Sequence, residues 1–260
     1  MKNGRIVSKT LFPSPNPHVA LYDITYISSG LKVKGLLAEP VDGEVHDGFL
    51  YLRGGIKGVG MVRPARIAQF ASHGFIVFAP FYRGNLGGEG NEDFAGEDRE
   101  DAIAGFELLK EHPRVKQERI HVFGFSRGGV MALLTGMACR EAASIVTWGG
   151  VSDMFLTYEE RKDLRRMMKR VIGGSPNKVP ERYEWRTPLY GLEALEAPVL
   201  IIHGEKDLNV SVEHAYRLEK RLKELGKPVY SHIFKDFTHY FPPRKNQEIV
   251  SMLSAWMKKQ

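Results

Sequence analysis

Read for hydrophobic period, the chain alternates strands with helices over most of its length, and no other feature narrows its fold as far. Residues 19–27 and 31–38 read as two strands around Ser28-Ser29-Gly30, a hairpin. Residues 49–52 form a short apolar run that ends at Arg53-Gly54-Gly55. Helical spacing over 63–72 stops at Gly74. The run 75–79 is apolar throughout, as in a strand buried on both faces. Then follow a helix over 97–111, a strand over 120–123, a helix over 128–139 and a strand over 145–148. After an irregular stretch, 151–198, come a strand over 199–202, a helix over 212–225, a strand over 229–234 and a helix over 247–258. Such alternation predicts an α/β fold: a mostly parallel sheet with helices on both faces and an antiparallel hairpin at one edge. The stretch 151–198 is too long for an ordinary connection. It predicts a small helical cap, about 153–187, inserted into a single domain of 260 residues.

Composition excludes several classes. Hydrophobic residues make up 43% and charged residues 26%, the balance of a globular chain. The longest apolar runs, such as 198–202, fall far short of a membrane span of about 20 residues. The single cysteine, Cys139, excludes an intrachain disulfide and any metal site built on several thiolates. No apolar segment follows Met1-Lys2-Asn3-Gly4-Arg5, so a cytoplasmic location is expected. The net charge of +6 raises the question of a nucleic-acid partner. The densest basic run, 161–170, carries Leu164, Met167 and Met168 at helical spacing, and reads as an amphipathic helix with a solvated basic face. No aromatic-interleaved basic stretch accompanies it, so neither a nucleic-acid nor a membrane partner is expected. Oligomeric state is left open.

The chemistry starts at Gly124-Phe125-Ser126-Arg127-Gly128. A G-x-S-x-G pentapeptide arises by chance in roughly one chain in ten of this length. Here it follows a strand and opens a helix, the setting in which a sharp turn exposes a nucleophilic serine. The helix N-terminus beneath Ser126 favours a developing negative charge. A serine hydroxyl needs a base, and the base needs a partner to orient it. Where this turn is used, the acid and then the histidine follow the serine in the chain. His203, His214, His232 and His239 come after it. His203 ends a strand, His214 sits in a helix and His232 lies within a strand. His239 is on a loop past a strand's carboxyl end, where catalytic groups of open α/β sheets gather. Asp207, directly after the strand 199–202, is the expected acid. Asp236 is its competitor, three residues from His239, and Glu205 is expected to point away or to brace the loop.

These residues resemble the catalytic domain of the prolyl oligopeptidase family of serine hydrolases, which has the α/β-hydrolase fold. The similar segments, in family order, are Phe81-Tyr82-Arg83-Gly84, Gly96-Glu97-Asp98-Arg99-Glu100-Asp101, Arg119-Ile120 through Gly124-Phe125-Ser126-Arg127-Gly128-Gly129, Gly173-Gly174-Ser175-Pro176, His203-Gly204-Glu205-Lys206-Asp207 and Asp236-Phe237-Thr238-His239. The resemblance implies Ser126 as nucleophile, His239 as base and Asp207 as its partner. Two departures stand out. Family peptidases usually carry an N-terminal β-propeller, and fewer than 50 residues precede Phe49 here. The chain is therefore expected to resemble the family's small esterases. Where family peptidases commonly have Tyr or His, this chain has Arg53. The oxyanion hole is then expected from the N–H groups of Arg127 and of Gly54, Gly55 and Ile56. Arg53 is expected either to meet an acidic substrate group or to form a structural ion pair.

The reading that results is a serine hydrolase without cofactor or metal, cleaving a small carboxylic ester. A short peptide or amide is the alternative substrate, and a non-catalytic hydrolase-like binding protein the alternative class. Arg53, Tyr82, Phe155, Tyr158 and Trp185 are expected around the substrate pocket.

Overall fold

The structure is a computed structural model and describes residues 2–260. Along the chain come β1 (Ile6–Phe12), β2 (Val19–Ser28), β3 (Leu31–Pro40), β4 (His46–Leu52), α1 (Pro64–Ala71), β5 (Phe75–Pro80), α2 (Arg99–Lys110), β6 (Val115–Phe125), α3 (Gly128–Ala138) and β7 (Ser144–Trp148). Then follow α4 (Met154–Glu160), α5 (Arg165–Ile172), α6 (Pro180–Glu184), β8 (Val199–Gly204), α7 (Glu213–Glu224), β9 (Val229–Phe234) and α8 (Pro243–Met257). The strands form one sheet in the order β1-β2-β3-β5-β4-β6-β7-β8-β9. Pairing is antiparallel through β1, β2, β3 and β5, and parallel from β5 to β9. The expected hairpin is β2–β3, turning at Ser29 and Gly30, both with positive φ.

The parallel strands are apolar because both their faces are covered. On one side α1 and α8 pack Ile67, Phe70, Val250 and Leu253 against Phe49, Phe123 and Trp148. On the other, α2, α3 and α7 pack Phe106, Leu133 and Leu218 against Leu50, Val122 and Ile201. β1 has no counterpart in the sequence reading. Its five central residues are exposed, so it carries no alternation of apolar and polar positions to read. β6 also begins earlier than expected. After the buried Val115, Lys116, Gln117 and Glu118 are exposed, and its pairing with β4 shifts register between Asp47 and Gly48.

The order of strands places the site. From β4 the chain moves outward to β5, then returns across β4 to β6. The loops after β4 and β6 therefore leave adjacent strands in diverging directions and open a crevice at their carboxyl ends. The cap, α4 to α6 and two 3-10 turns at Pro188–Tyr190 and Leu192–Ala194, is inserted between β7 and β8 over that end. The basic run splits between a turn and α5. Met168 and Ile172 are buried beneath α5, while Arg166, Lys169 and Arg170 are exposed. No helix among the described residues is long and apolar enough to cross a membrane.

Candidate active site

Ser126 sits between β6 and α3 with φ +57°, a left-handed conformation that costs a non-glycine residue energy and persists only where the surroundings enforce it. The enforcement is visible. The Ser126 N–H donates to Trp148 O at 3.1 Å, and Ser126 O accepts from Gly129 N and Val151 N, both at 2.9 Å. The turn is so tight that a Cβ on Gly124 would lie 2.0 Å from Gly128 O. The loop after β4 closes against it: a Cβ on Gly54 would come within 2.6 Å of Ser126 Cβ and 3.1 Å of its Oγ. The backbone of Gly54 thus lies directly beside the hydroxyl, and Ser126 itself stays partly exposed.

Asp207 and His239 meet from neighbouring loops. Asp207 follows β8, and its Oδ1 accepts the N–H groups of Asn209 at 2.8 Å and Val210 at 3.0 Å. Its Oδ2 faces His239 Nδ1 at 2.6 Å. Burial pushes the Asp207 carboxyl up, but the bonds from His239, Val210 and Asn209 outweigh it and hold it below the usual range. A charged Asp207 fixes the proton on Nδ1 and leaves the Nε2 lone pair to act as base. The His239 loop is anchored on both sides. Glu205 N donates to Phe234 O and Lys206 N to Phe237 O, at 2.9 and 3.0 Å, while Phe241 packs on Trp148 with ring centroids 5.1 Å apart. The ring of Phe125, beside Ser126, lies 4.8 Å from the His239 ring. At Gly149, just after the residue that holds Ser126 N, a Cβ would come within 3.2 Å of His239 and 3.3 Å of Asp207. Serine, histidine and aspartate therefore converge at the ends of β6, β8 and β9.

The other candidates lie elsewhere. Asp236 is exposed and pairs with Lys206 at 2.9 Å. His203 is buried against Val210 O, His214 is buried between Ser152 and Glu160, and His232 is exposed on β9.

Two of the residues expected around the pocket need correction. Arg53 is 1% exposed and cannot reach a substrate group: it pairs with Glu92 and donates to Gly54 O, Val59 O and Phe81 O. Tyr82 is fully buried, its ring between the guanidinium groups of Arg53 and Arg127 at 5.1 and 4.9 Å. Both support the loop from behind. In the cap, Phe155 and Tyr158 are half-buried against the fully buried Tyr183, at 5.6 and 5.8 Å. Trp185 is 46% exposed, with the Arg99 guanidinium 4.0 Å over its ring, where it ties the cap to the start of α2.

Sequence reasoning missed Glu92. It lies between Arg53 and Arg127 and touches both. It lies among other acidic residues, Glu89 and Asp93, after a glycine-rich loop and at no telling distance from either arginine, so no spacing announces it. Asp98, quoted above only for its resemblance, is buried beside Arg127 at 3.1 Å. Burial pushes its carboxyl up to about 7, with Arg127 pulling it down and Asp93 and Glu92 adding to the push.

Comparison with known proteins gives the family and the fold. The family profile described as "Prolyl oligopeptidase family" matches residues 61–260. The protein named "Uncharacterized peptidase YtmA" of Bacillus subtilis (strain 168) is 67% identical over 254 residues, 97% of this chain and 99% of that protein. Among solved structures, the acylaminoacyl peptidase of Pyrococcus horikoshii superposes with a TM-score of 0.77 at 25% identity, over 97% of this chain but only 42% of its own. The acetyl xylan esterase from Paenibacillus sp. R4 shares the fold, with a TM-score of 0.73 at 16% identity over 95% of this chain and 88% of its own.

Proposed function

Because this chain has the α/β-hydrolase fold and belongs to the prolyl oligopeptidase family of serine hydrolases, we propose that it cleaves small carboxylic esters through an acyl-enzyme on Ser126. The observation that carries this reading is the 2.6 Å contact between His239 Nδ1 and Asp207 Oδ2, made beside the strained turn that presents Ser126. His239 Nε2 takes the hydroxyl proton as Ser126 Oγ attacks the ester carbonyl. Asp207 stabilises the imidazolium that forms. The N–H groups of Arg127 and of Gly54, Gly55 and Ile56 receive the oxyanion, and Gly54 is suited to it because its backbone lies beside Oγ. His239 then protonates the leaving alcohol, and activates the water that releases the acid.

Electrostatics favours an ester, or an otherwise uncharged acyl compound, over a free aminoacyl substrate. A free α-ammonium needs an open carboxylate. Near the nucleophile, Glu92 and Asp98 are buried against arginines, and in the cap Asp153 pairs with Arg217 and Glu160 with His214. Cleavage of short or acyl-blocked peptides is the second reading, favoured by the peptidase names of the relatives. A reducing cytoplasm suits Cys139, a buried thiol pushed up to about 12 by its apolar surroundings.

The test sets p-nitrophenyl esters of increasing acyl length beside aminoacyl p-nitroanilides, with a fluorophosphonate label to report Ser126. We expect labelling of Ser126 and the highest kcat/KM on acyl groups of about two to six carbons, the size a compact capped pocket holds. Anilides or blocked peptides turned over faster than every short ester would replace the ester by the peptide reading. Absence of labelling at Ser126 would remove both.

A further inference from the structure

An oxyanion hole built from backbone N–H groups depends on how two separate segments meet. One arm is the loop after β4, with Gly54, Gly55 and Ile56. The other is the turn after β6, with Arg127. The backbones of the two arms touch at Gly54 and Ser126. A second link between them, made by side chains, comes from Glu92 on a third loop, after β5. Its carboxylate accepts from Arg127 Nη2, and from Arg53 Nη2 at 3.2 Å to each oxygen. Its Oε2 also accepts the Lys57 N–H at 2.7 Å and Asn85 Nδ2 at 3.0 Å. Lys57 and Arg53 flank Gly54, Gly55 and Ile56 on either side, so Glu92 grips the first arm at both ends and the second arm by its side chain. The Glu92 and Arg53 side chains are 1% exposed, and Arg127 little more.

Such a cluster is a poor device for stability alone. Buried ion pairs are often replaced by apolar groups of similar volume without loss. Arginine–carboxylate forks excel instead at fixing geometry. Here the geometry fixed is that of the two segments proposed to hold the oxyanion. Tyr82, between the two guanidinium groups, fills the space that water would otherwise occupy. Asp98 takes Arg127 Nη1 at 3.1 Å and keeps that side chain from turning away.

We propose that Glu92 is a positioning residue of the oxyanion hole, setting the separation of the Arg127 N–H from those of Gly54, Gly55 and Ile56. The inference rests on the serine-hydrolase reading above. Glu92→Gln keeps the shape and removes the charge that holds both arginines. Because a displacement of the order of 1 Å at a reacting centre can cost about 100-fold in rate, kcat per labelled site should fall roughly 10- to 100-fold. KM should stay within about threefold, since the hole acts in the transition state. Affinity for a trifluoromethyl ketone, whose adduct places an oxyanion in the hole, should fall in parallel with kcat. A purely structural glutamate would lower the amount of folded, labelled enzyme and leave kcat per site and ketone affinity alone.

Arg53→Met gives the second arm of the test. It leaves Glu92 on Arg127 and on the Lys57 N–H, and removes the side chain that ties Gly54 O, Val59 O and Phe81 O to Glu92, so a loss of kcat in the same direction with little change in KM is expected. Either variant, folded and labelled, with kcat per site within twofold of wild type would overturn the proposal. If wild type itself is not labelled at Ser126, the serine-hydrolase reading fails first, and the two failures are distinguishable.

Discussion

His203 and His239 approach the same oxygen of Asp207, the first at 3.6 Å and the second at 2.6 Å. They are not equivalent. His203 Nε2 donates to Val210 O at 2.8 Å, and burial pushes its pKa down, so it stays neutral and serves as a wall. His239 bonds that oxygen through Nδ1, and its ring lies 4.8 Å from that of Phe125, beside Ser126. The carboxylate is thus held by two backbone N–H groups on one oxygen and by the His239 imidazole on the other, with His203 packed alongside. Asp207→Asn should keep this socket but allow the wrong imidazole tautomer, and lower kcat by roughly 10⁴-fold. Asp236→Asn, on the exposed partner of Lys206, should change kcat less than twofold. The same steady-state ester assay reads both, and the opposite ranking would transfer the acid to Asp236.

Ser126 and His239 act as one unit in the proposed mechanism, so their losses should not add. Ser126→Ala and His239→Ala should each lower kcat by about 10⁴-fold or more, and the double variant should be little worse than either. Additive losses measured by stopped assay at high enzyme concentration would show that the two groups do not share a step.

What could be read before the structure follows from how each feature is written in the chain. The parallel strands were legible because burial on both faces leaves uninterrupted apolar runs, as at Phe75–Pro80 and Val199–Gly204. Ser126, Asp207 and His239 could be singled out because each follows a strand, and the structure brings the Asp207 and His239 side chains to 2.6 Å of each other. β1 was not, since an edge strand exposed along its middle has no period to detect. Arg53 was half legible: its ion pair was one of two expectations, but nothing in the sequence names Glu92 as the partner. Long-range pairing between loops leaves no local period, and only the fold brings residues 53, 92 and 127 together.

The cap offers two kinds of aromatic residue, and they should respond differently. Phe155 and Tyr158 are half-buried on Tyr183, whose hydroxyl donates to Gly174 O at 3.0 Å. Truncating either should shift the preferred acyl length by one or two carbons, while fluorophosphonate labelling persists. Trp185 faces solvent beneath Arg99, which also donates to its carbonyl at 2.8 Å. Trp185→Ala should therefore leave acyl preference unchanged and cost about 0.5–1 kcal/mol, the scale of an exposed cation–π contact. A shifted ester profile for Trp185→Ala with none for Phe155→Ala or Tyr158→Ala would place the acyl group on the other side of the cap.

Glu39 predicts how stability depends on acid. It is the penultimate residue of β3, where it pairs with Lys9 of β1, His112 after α2 and, at 3.5 Å, Arg114 before β6. Burial pushes its carboxyl up, yet the bonds from His112 and Lys9 outweigh that and bring it down to about 2, from an ordinary value near 4.5. A carboxyl lowered by folding is charged in the native state where the unfolded chain has begun to bind a proton. Its contribution is therefore complete above about pH 4.5 and fades as the pH falls through about 2. Glu39→Gln should cost roughly 2 kcal/mol at pH 7, the scale of a hydrogen bond to a charged partner. The difference in stability between wild type and variant should narrow steadily from pH 5 to pH 3. Because Asp47, lowered by His121, Lys116 and Arg119 against its own burial, titrates in the same acid range, only the difference between the two proteins isolates Glu39. Urea unfolding at pH 7, 5, 4 and 3 measures it. A constant gap over that range would mean that Glu39 holds β1 by packing rather than by charge.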